Sequence, residues 1–150
     1  LVLNGLLDIP ILYLSRYIIR HKAEYYRLLQ EVRTEGKWED WIVYVLEGIE
    51  QTARETIVLI REISVLMEKF RQRIQEQEPR MYSKDLIEAL FKHPYTKVEL
   101  LQKDLRKSEI TAYRYLETLV GHGILQKYKI GRSNFYINSS LYSLLTGGDL

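Results

Sequence analysis

The stretch "EITAYRYLETLVGHGILQKYKIGRSNFYI", residues 109–137, decides the fold of the second half of the chain. Its first part has apolar residues at helical spacing, and Gly121 follows, which predicts a helix that ends there. Alternating residues from 124 to 130, a turn over 131–134 and a short segment to 137 predict a β-hairpin. The residues that should face inward from the helix are Ala112, Leu116, Leu119 and Val120.

Two further helices precede this stretch. Ser83 is placed to cap the first, and Thr96 with Glu99 has the spacing of a capping box for the second. Ser108 should cap the helix of the opening stretch. Three helices followed by a hairpin predict a winged helix-turn-helix with a small β-hairpin over residues 79–150.

The first half predicts helices throughout. Pro10 suits the first turn of a helix that runs to about Arg20, and a second helix should span residues 22–35 with Gly36 as its left-handed cap. A long helix follows, with apolar residues at alternating spacings of four and three. Its apolar stripe is wide, which favours packing on neighbouring helices over a two-stranded coiled coil. The polar stretch around Pro79 predicts a boundary between domains 1–78 and 79–150.

Charge is divided unevenly between the two halves. Residues 1–79 hold 11 Lys/Arg and 13 Asp/Glu, a net of −2, whereas residues 80–150 hold 11 and 7, a net of +4. The positive excess therefore lies in the half that could contact nucleic acid. The chain has no cysteine, which is typical of a reducing compartment and leads us to expect a cytoplasmic protein. His21, His93 and His122 lack partners at metal-ligand spacing, so we predict helix-end or turn positions and no metal.

The opening segment "LVLNGLLDIPILYL" is apolar but does not predict a signal peptide or a membrane span. It has no basic residues at its start, and Asn4, Asp8 and Pro10 interrupt it. We expect it to lie in a core and expect no membrane partner. A helical pattern that begins at the first residue suggests a fragment of a longer protein.

The segments "GLLDIPILYLSRYI" (5–18) and "YYRLLQEVRTEGKWEDWIVYVLEGIEQTA" (25–53) resemble the C-terminal part of Fic-domain proteins. This family transfers a nucleotide, usually AMP from ATP, to a protein hydroxyl, and many members end in a winged helix. The resemblance covers residues 1 to about 77 and implies a portion of the Fic-type helical bundle, so that the whole chain should be mainly α. The residues that carry it are Gly5, Pro10, Leu12, Tyr13, Leu14, Ser15, Tyr17, Tyr25, Tyr26, Val32, Arg33, Gly36, Trp38, Glu39, Trp41, Ile42 and Gly48.

The catalytic signature of that family, HPFx[DE]GNGRxxR, is not in the sequence. The segment "KHPYTKVELL" around His93 has the His-Pro dipeptide alone, without the glycine-rich loop that binds phosphates. The resemblance therefore implies a protein adenylyltransferase that uses ATP and Mg²⁺ when intact, and a fragment that is inactive and needs neither. It also implies that Tyr25 and Tyr26 lie near the adenine, although both could instead be core residues with hydrated hydroxyls. Trp38 and Trp41 are predicted to be core.

Three functions remain open from the sequence. The first is the C-terminal part of an adenylyltransferase, with its protein substrate as partner; the second is a DNA-binding regulator module. The third is a protein-interaction scaffold, including a homodimer. The candidate nucleic-acid-binding residues are Lys107, Thr111 and Arg114 on the helix and Lys127, Lys129, Arg132 and Asn134 on the hairpin. Glu109 and Glu117 share the helix face and would repel phosphate.

Overall fold

The computed structural model describes residues 14–147 and is mainly α-helical, with one small antiparallel sheet. This confirms the predicted fold class. The predicted helix start at Pro10 and the core role of the opening segment lie outside the described residues. The elements are α1 Leu14–Arg20, α2 Lys22–Glu35, α3 Trp38–Gln77, α4 Lys84–Lys92, β1 Tyr95–Thr96, α5 Val98–Leu105, α6 Glu109–Gly121, β2 Gln126–Ile130, β3 Ser133–Ile137 and α7 Ser139–Thr146.

The chain divides into two compact units, Leu1–Val58 and Leu59–Leu150. In the first unit, α2 has the predicted bounds and ends at Gly36, whose φ of +69° and N–H bond to the Val32 carbonyl at 3.1 Å confirm the predicted cap. A small cluster of buried residues, Tyr17, Leu28 and Tyr44, holds this unit together.

Two of the three predicted caps in the second unit are confirmed. The Ser83 hydroxyl accepts from the Leu86 N–H at 3.1 Å, and the Ser108 hydroxyl accepts from the Thr111 N–H at 3.2 Å. The capping box was wrong, because α5 begins after Lys97 and has no side-chain cap. Thr96 is instead buried in β1, where it pairs with Tyr136.

The sheet has the strand order β1-β3-β2, with both pairs antiparallel. The turn between β2 and β3 is shorter than predicted, because β3 already begins at Ser133 and only Gly131, with a φ of +61°, and Arg132 lie between the strands. β1 and α7 were not predicted. Asn138 explains why α7 starts where it does, since its side-chain oxygen accepts from the Leu141 N–H at 3.0 Å.

The core of the second unit includes the last turns of α3. Phe70 and Ile74 are 4% and 1% exposed and belong to the same buried cluster as Leu86, Leu101 and Leu116 of the three following helices. The domain boundary at residue 78/79 stays a prediction, and this core argues for an earlier one. No helix in the described part of the chain is both long and apolar enough to cross a membrane.

Candidate functional site

The two candidate nucleotide-contacting tyrosines of α2 differ in accessibility. The Tyr25 ring is half-buried and lies against Trp41, with the ring centroids 5.2 Å apart. Tyr26 is 58% exposed, meets Tyr25 edge to face at 5.3 Å, and has the Lys22 Nζ 6.0 Å from its ring centroid. Of this pair, Tyr26 is the more accessible to a stacking purine.

The prediction that both tryptophans are core was wrong for Trp38, which is 59% exposed. Trp38 is the first residue of α3 and directly follows the turn at Gly36, so it lies outside the buried cluster of the first unit. Trp41, one turn later, is half-buried and stacks on Tyr44 at a centroid distance of 6.1 Å and an angle of 24°.

The three histidines lie at helix ends, as predicted. His21 precedes α2, and its Nδ1 lies 3.0 Å from the Tyr17 carbonyl oxygen. His122 follows α6, and its Nε2 lies 3.0 Å from Glu78 Oε1. His93 follows α4 and stacks on Tyr95. Within residues 14–147, no three His, Asp or Glu side chains are grouped so that they could hold a metal ion.

The outer face of α6 is less basic than the sequence suggested. Arg114 is exposed, and Lys107 is exposed just before the helix begins. Thr111 is half-buried, and its hydroxyl lies 2.9 Å from the capping Ser108 hydroxyl, so it is engaged at the helix start. Two large apolar side chains share the exposed surface: Ile110 is 81% and Tyr113 46% exposed. Such a face suits contact with protein as well as with a DNA groove.

Lys127 is engaged by Glu117 and does not project freely. Its Nζ lies 2.5 Å from Glu117 Oε1, which also accepts from the Tyr136 hydroxyl at 2.7 Å. The hydrogen bond from Lys127, followed by that from Tyr136, holds the pKa of Glu117 below its ordinary value. Burial, and then the bond to Glu117, raises the pKa of Tyr136. Lys127 could contact a phosphate only by giving up this pairing, so Glu117 opposes the predicted role of Lys127 by neutralising it.

The other candidate nucleic-acid-binding residues of the hairpin lie at the end of the sheet where the turn joins β2 to β3. Lys129 and Asn134 are directly paired across β2 and β3, and Arg132 lies in the turn. Lys129 and Arg132 are exposed, and in the described part of the chain neither forms an ion pair with a carboxylate. Of the predicted nucleic-acid-binding residues, the structure thus leaves four as accessible cations: Lys107 just before α6, Arg114 on α6, and Lys129 and Arg132 on the hairpin.

Residues 66–141 match a family model described as "Protein adenylyltransferase SoFic-like, C-terminal domain". The match begins within α3 and ends within α7. It therefore includes Phe70 and Ile74, the two α3 residues that contribute to the core of the second unit.

Proposed function

The chain belongs to the family of SoFic-like C-terminal domains of protein adenylyltransferases, and from this premise we propose that it is the C-terminal part of a Fic-type enzyme that transfers AMP from ATP to a protein hydroxyl. The observation that carries the proposal is the family match over residues 66–141. The match begins at residue 66, whereas the sequence that resembles the Fic-type bundle lies in the first half of the chain. The two therefore support an origin in an adenylyltransferase independently of each other. The continuous helix α3 joins the two parts.

In the intact enzyme, ATP and Mg²⁺ would supply the AMP group and the charge that stabilises its transfer. Tyr26 is the residue of this chain that fits such a ligand, since its exposed ring could stack on adenine. Tyr25 would then hold the Tyr26 ring in position through their edge-to-face contact. The sequence has no glycine-rich anion loop, and the described residues have no cluster of three His, Asp or Glu side chains that could hold a metal ion. We therefore propose that this chain is inactive alone.

The 150-residue chain is expected to incorporate no AMP into itself or into added protein when incubated with labelled ATP and Mg²⁺. Tyrosine rings can bind the base of ATP, but without a general base or phosphate-binding amides the chain gives no stabilisation specific to the transition state. Labelled protein is to be counted after gel separation, with boiled chain as the control. Label above that control would contradict the proposal of inactivity while leaving the family assignment intact.

We further propose that the second unit is a winged helix that contacts DNA or protein. The order α4, β1, α5, α6, β2, β3 and the strand order β1-β3-β2 support it, with α6 as the reading helix and the β2-β3 hairpin as the wing. Arg114 and Arg132 favour DNA because both are exposed cations. The exposed Ile110 and the Glu117–Lys127 pair favour protein.

Substitution of the two arginines tests the DNA interpretation, because they should act differently. Arg132→Ala should weaken binding to all duplexes and lower the salt slope by about 1, since a turn residue would contact phosphate. Arg114→Ala should cost about 1 to 3 kcal/mol on a preferred site and relax its selectivity, since it projects from the helix. Fluorescence anisotropy of labelled duplexes at two salt concentrations measures both.

Arg54→Ala is a matched control, because Arg54 is exposed on α3 and ion-paired with Glu50 in the first unit. The control should bind like the unmodified chain. If the unmodified chain shows no salt-dependent duplex binding even at about 50 mM salt, the helix does not read DNA and the protein-contact alternative stands. Sedimentation velocity would then decide whether that protein is a second copy.

A further inference from the structure

The strand register defines one face of the small sheet that points away from the helices. Tyr136 faces the helices and is fully buried, so its neighbours Phe135 and Ile137 point to the opposite, outer face. Tyr128 is directly opposite Phe135, and Tyr95 and Gln126 flank Ile137 on its two sides. The outer face of the sheet is therefore defined by Tyr95, Gln126, Tyr128, Ile130, Ser133, Phe135 and Ile137.

This outer face is unusually rich in accessible rings. Tyr95 and Tyr128 are 45% and 47% exposed, and Phe135 is half-buried between them. The Tyr95 and Phe135 rings have centroids 5.8 Å apart, and His93 continues the row by stacking on Tyr95 at 6.3 Å and 26°. Aromatic side chains exposed on a sheet can stack on planar ligands without rearrangement of the backbone.

The strands and the residues next to them carry only positive charge. Residues 92–97 and 126–137 hold five Lys/Arg and no Asp/Glu. Two of the five are ion-paired with carboxylates on other elements, Lys92 with Asp104 and Lys127 with Glu117. Lys97 lies on the outer face itself, with its Nζ 4.2 Å from the centroid of the Phe135 ring, and Arg132 lies at the hairpin tip.

We propose that the outer face of the sheet binds unpaired nucleic acid, with bases stacked on Tyr128, Phe135 and Tyr95 and phosphates neutralised by Lys97 and Arg132. Aromatic rings stack on bases whose faces are exposed. In a duplex these faces are covered by the neighbouring base pairs, so the rings favour unpaired strands. The absence of carboxylates from these strands complements a polyanion. A second copy of the chain would bring the same positive strands against these, so charge opposes self-association here. This site is separate from the α6 face and from any role in AMP transfer.

The experiment measures binding of labelled oligothymidine and oligouridine of about 12 nucleotides to the full chain by fluorescence anisotropy at about 50 mM salt. We expect both to bind more tightly than a duplex of the same length. Tyr128→Ala should weaken binding about 5- to 150-fold, the loss typical of one stacked base. Tyr128→Phe should retain binding, because the ring and not the hydroxyl is used.

Trp38→Ala is the control, because Trp38 is an exposed aromatic residue, 59%, at the start of α3 and belongs to neither candidate nucleic-acid surface. It should leave oligonucleotide binding unchanged, and thermal unfolding should show that both alanine variants stay folded. Absence of single-strand binding at low salt would overturn the proposal, as would equal losses in the two variants. A dimer that Tyr128→Ala converts to a monomer, without oligonucleotide binding, would instead identify a self-association surface. A preference for uridine or thymidine would distinguish RNA from DNA as the ligand.

Discussion

A fragment of residues 80–150 is expected to be largely unfolded under conditions in which a fragment of residues 59–150 is folded. The longer fragment retains Phe70 and Ile74, which are 4% and 1% exposed in the core of the second unit. Truncating one buried Phe or Ile to Ala costs about 2 to 5 kcal/mol, and deletion of α3 removes both at once. Small domains have about 5 to 15 kcal/mol in total, so the loss should consume most of the stability.

Urea unfolding followed by far-UV circular dichroism compares the two fragments. In the full chain, Phe70→Ala and Ile74→Ala should each lower the free energy of unfolding of the second unit by about 2 to 5 kcal/mol. Val65→Ala is the control, because Val65 is on the same helix but 56% exposed, and it should change little. If residues 80–150 unfold at the same urea concentration as residues 59–150, the boundary at Pro79 is correct and the α3 contacts contribute nothing to folding.

The sequence identified the features that depend on neighbouring residues. Ser83, Ser108 and Gly36 cap their helices because each interaction spans three or four residues, a range over which sequence patterns are reliable. The spacing of Ala112, Leu116, Leu119 and Val120 likewise predicted the inward face of α6, where the first three are fully buried and Val120 is half-buried. Helix content and the hairpin could therefore be predicted without coordinates.

Features that depend on distant pairing were missed. β1 has only two residues, and it exists because Tyr95 and Thr96 pair with β3, about 40 residues later. Because of this pairing, Thr96 lies in a strand and does not form the predicted capping box. The Glu117–Lys127 ion pair joins α6 to β2 at 2.5 Å. Nothing in the sequence indicated this pairing, because the two residues belong to different elements. The aromatic face of the sheet was partly visible as alternation in "KYKIGRSNFY", but Tyr95 could be added only through the register.

Gly48→Val is expected to destabilise the first unit by about 3 kcal/mol, because Gly48 lies where α1 closely approaches α3. A Cβ at this position would be 2.7 Å from Tyr17 Cδ1 and 2.8 Å from Leu14 Cδ1. Tyr17 has little room to withdraw, since its ring is packed against His21 at 4.2 Å and Tyr44 at 5.3 Å. Gly48→Ala meets the same contacts but gains about 1 kcal/mol of helix propensity, so a smaller loss of about 1 kcal/mol is expected.

Tryptophan fluorescence isolates the response of the first unit, because the only tryptophans of the chain are Trp38 and Trp41. Trp41 stacks on Tyr44, which contacts Tyr17, so its emission should report directly on the packing around Gly48. Gly121→Ala is the matched control, since Gly121 is also helical but a Cβ there would meet nothing within 4 Å. That variant should keep the fluorescence transition of the unmodified chain. If Gly48→Val also keeps that transition in urea, α1 does not pack closely on α3 at this position, and Gly48 has a role other than close helix packing.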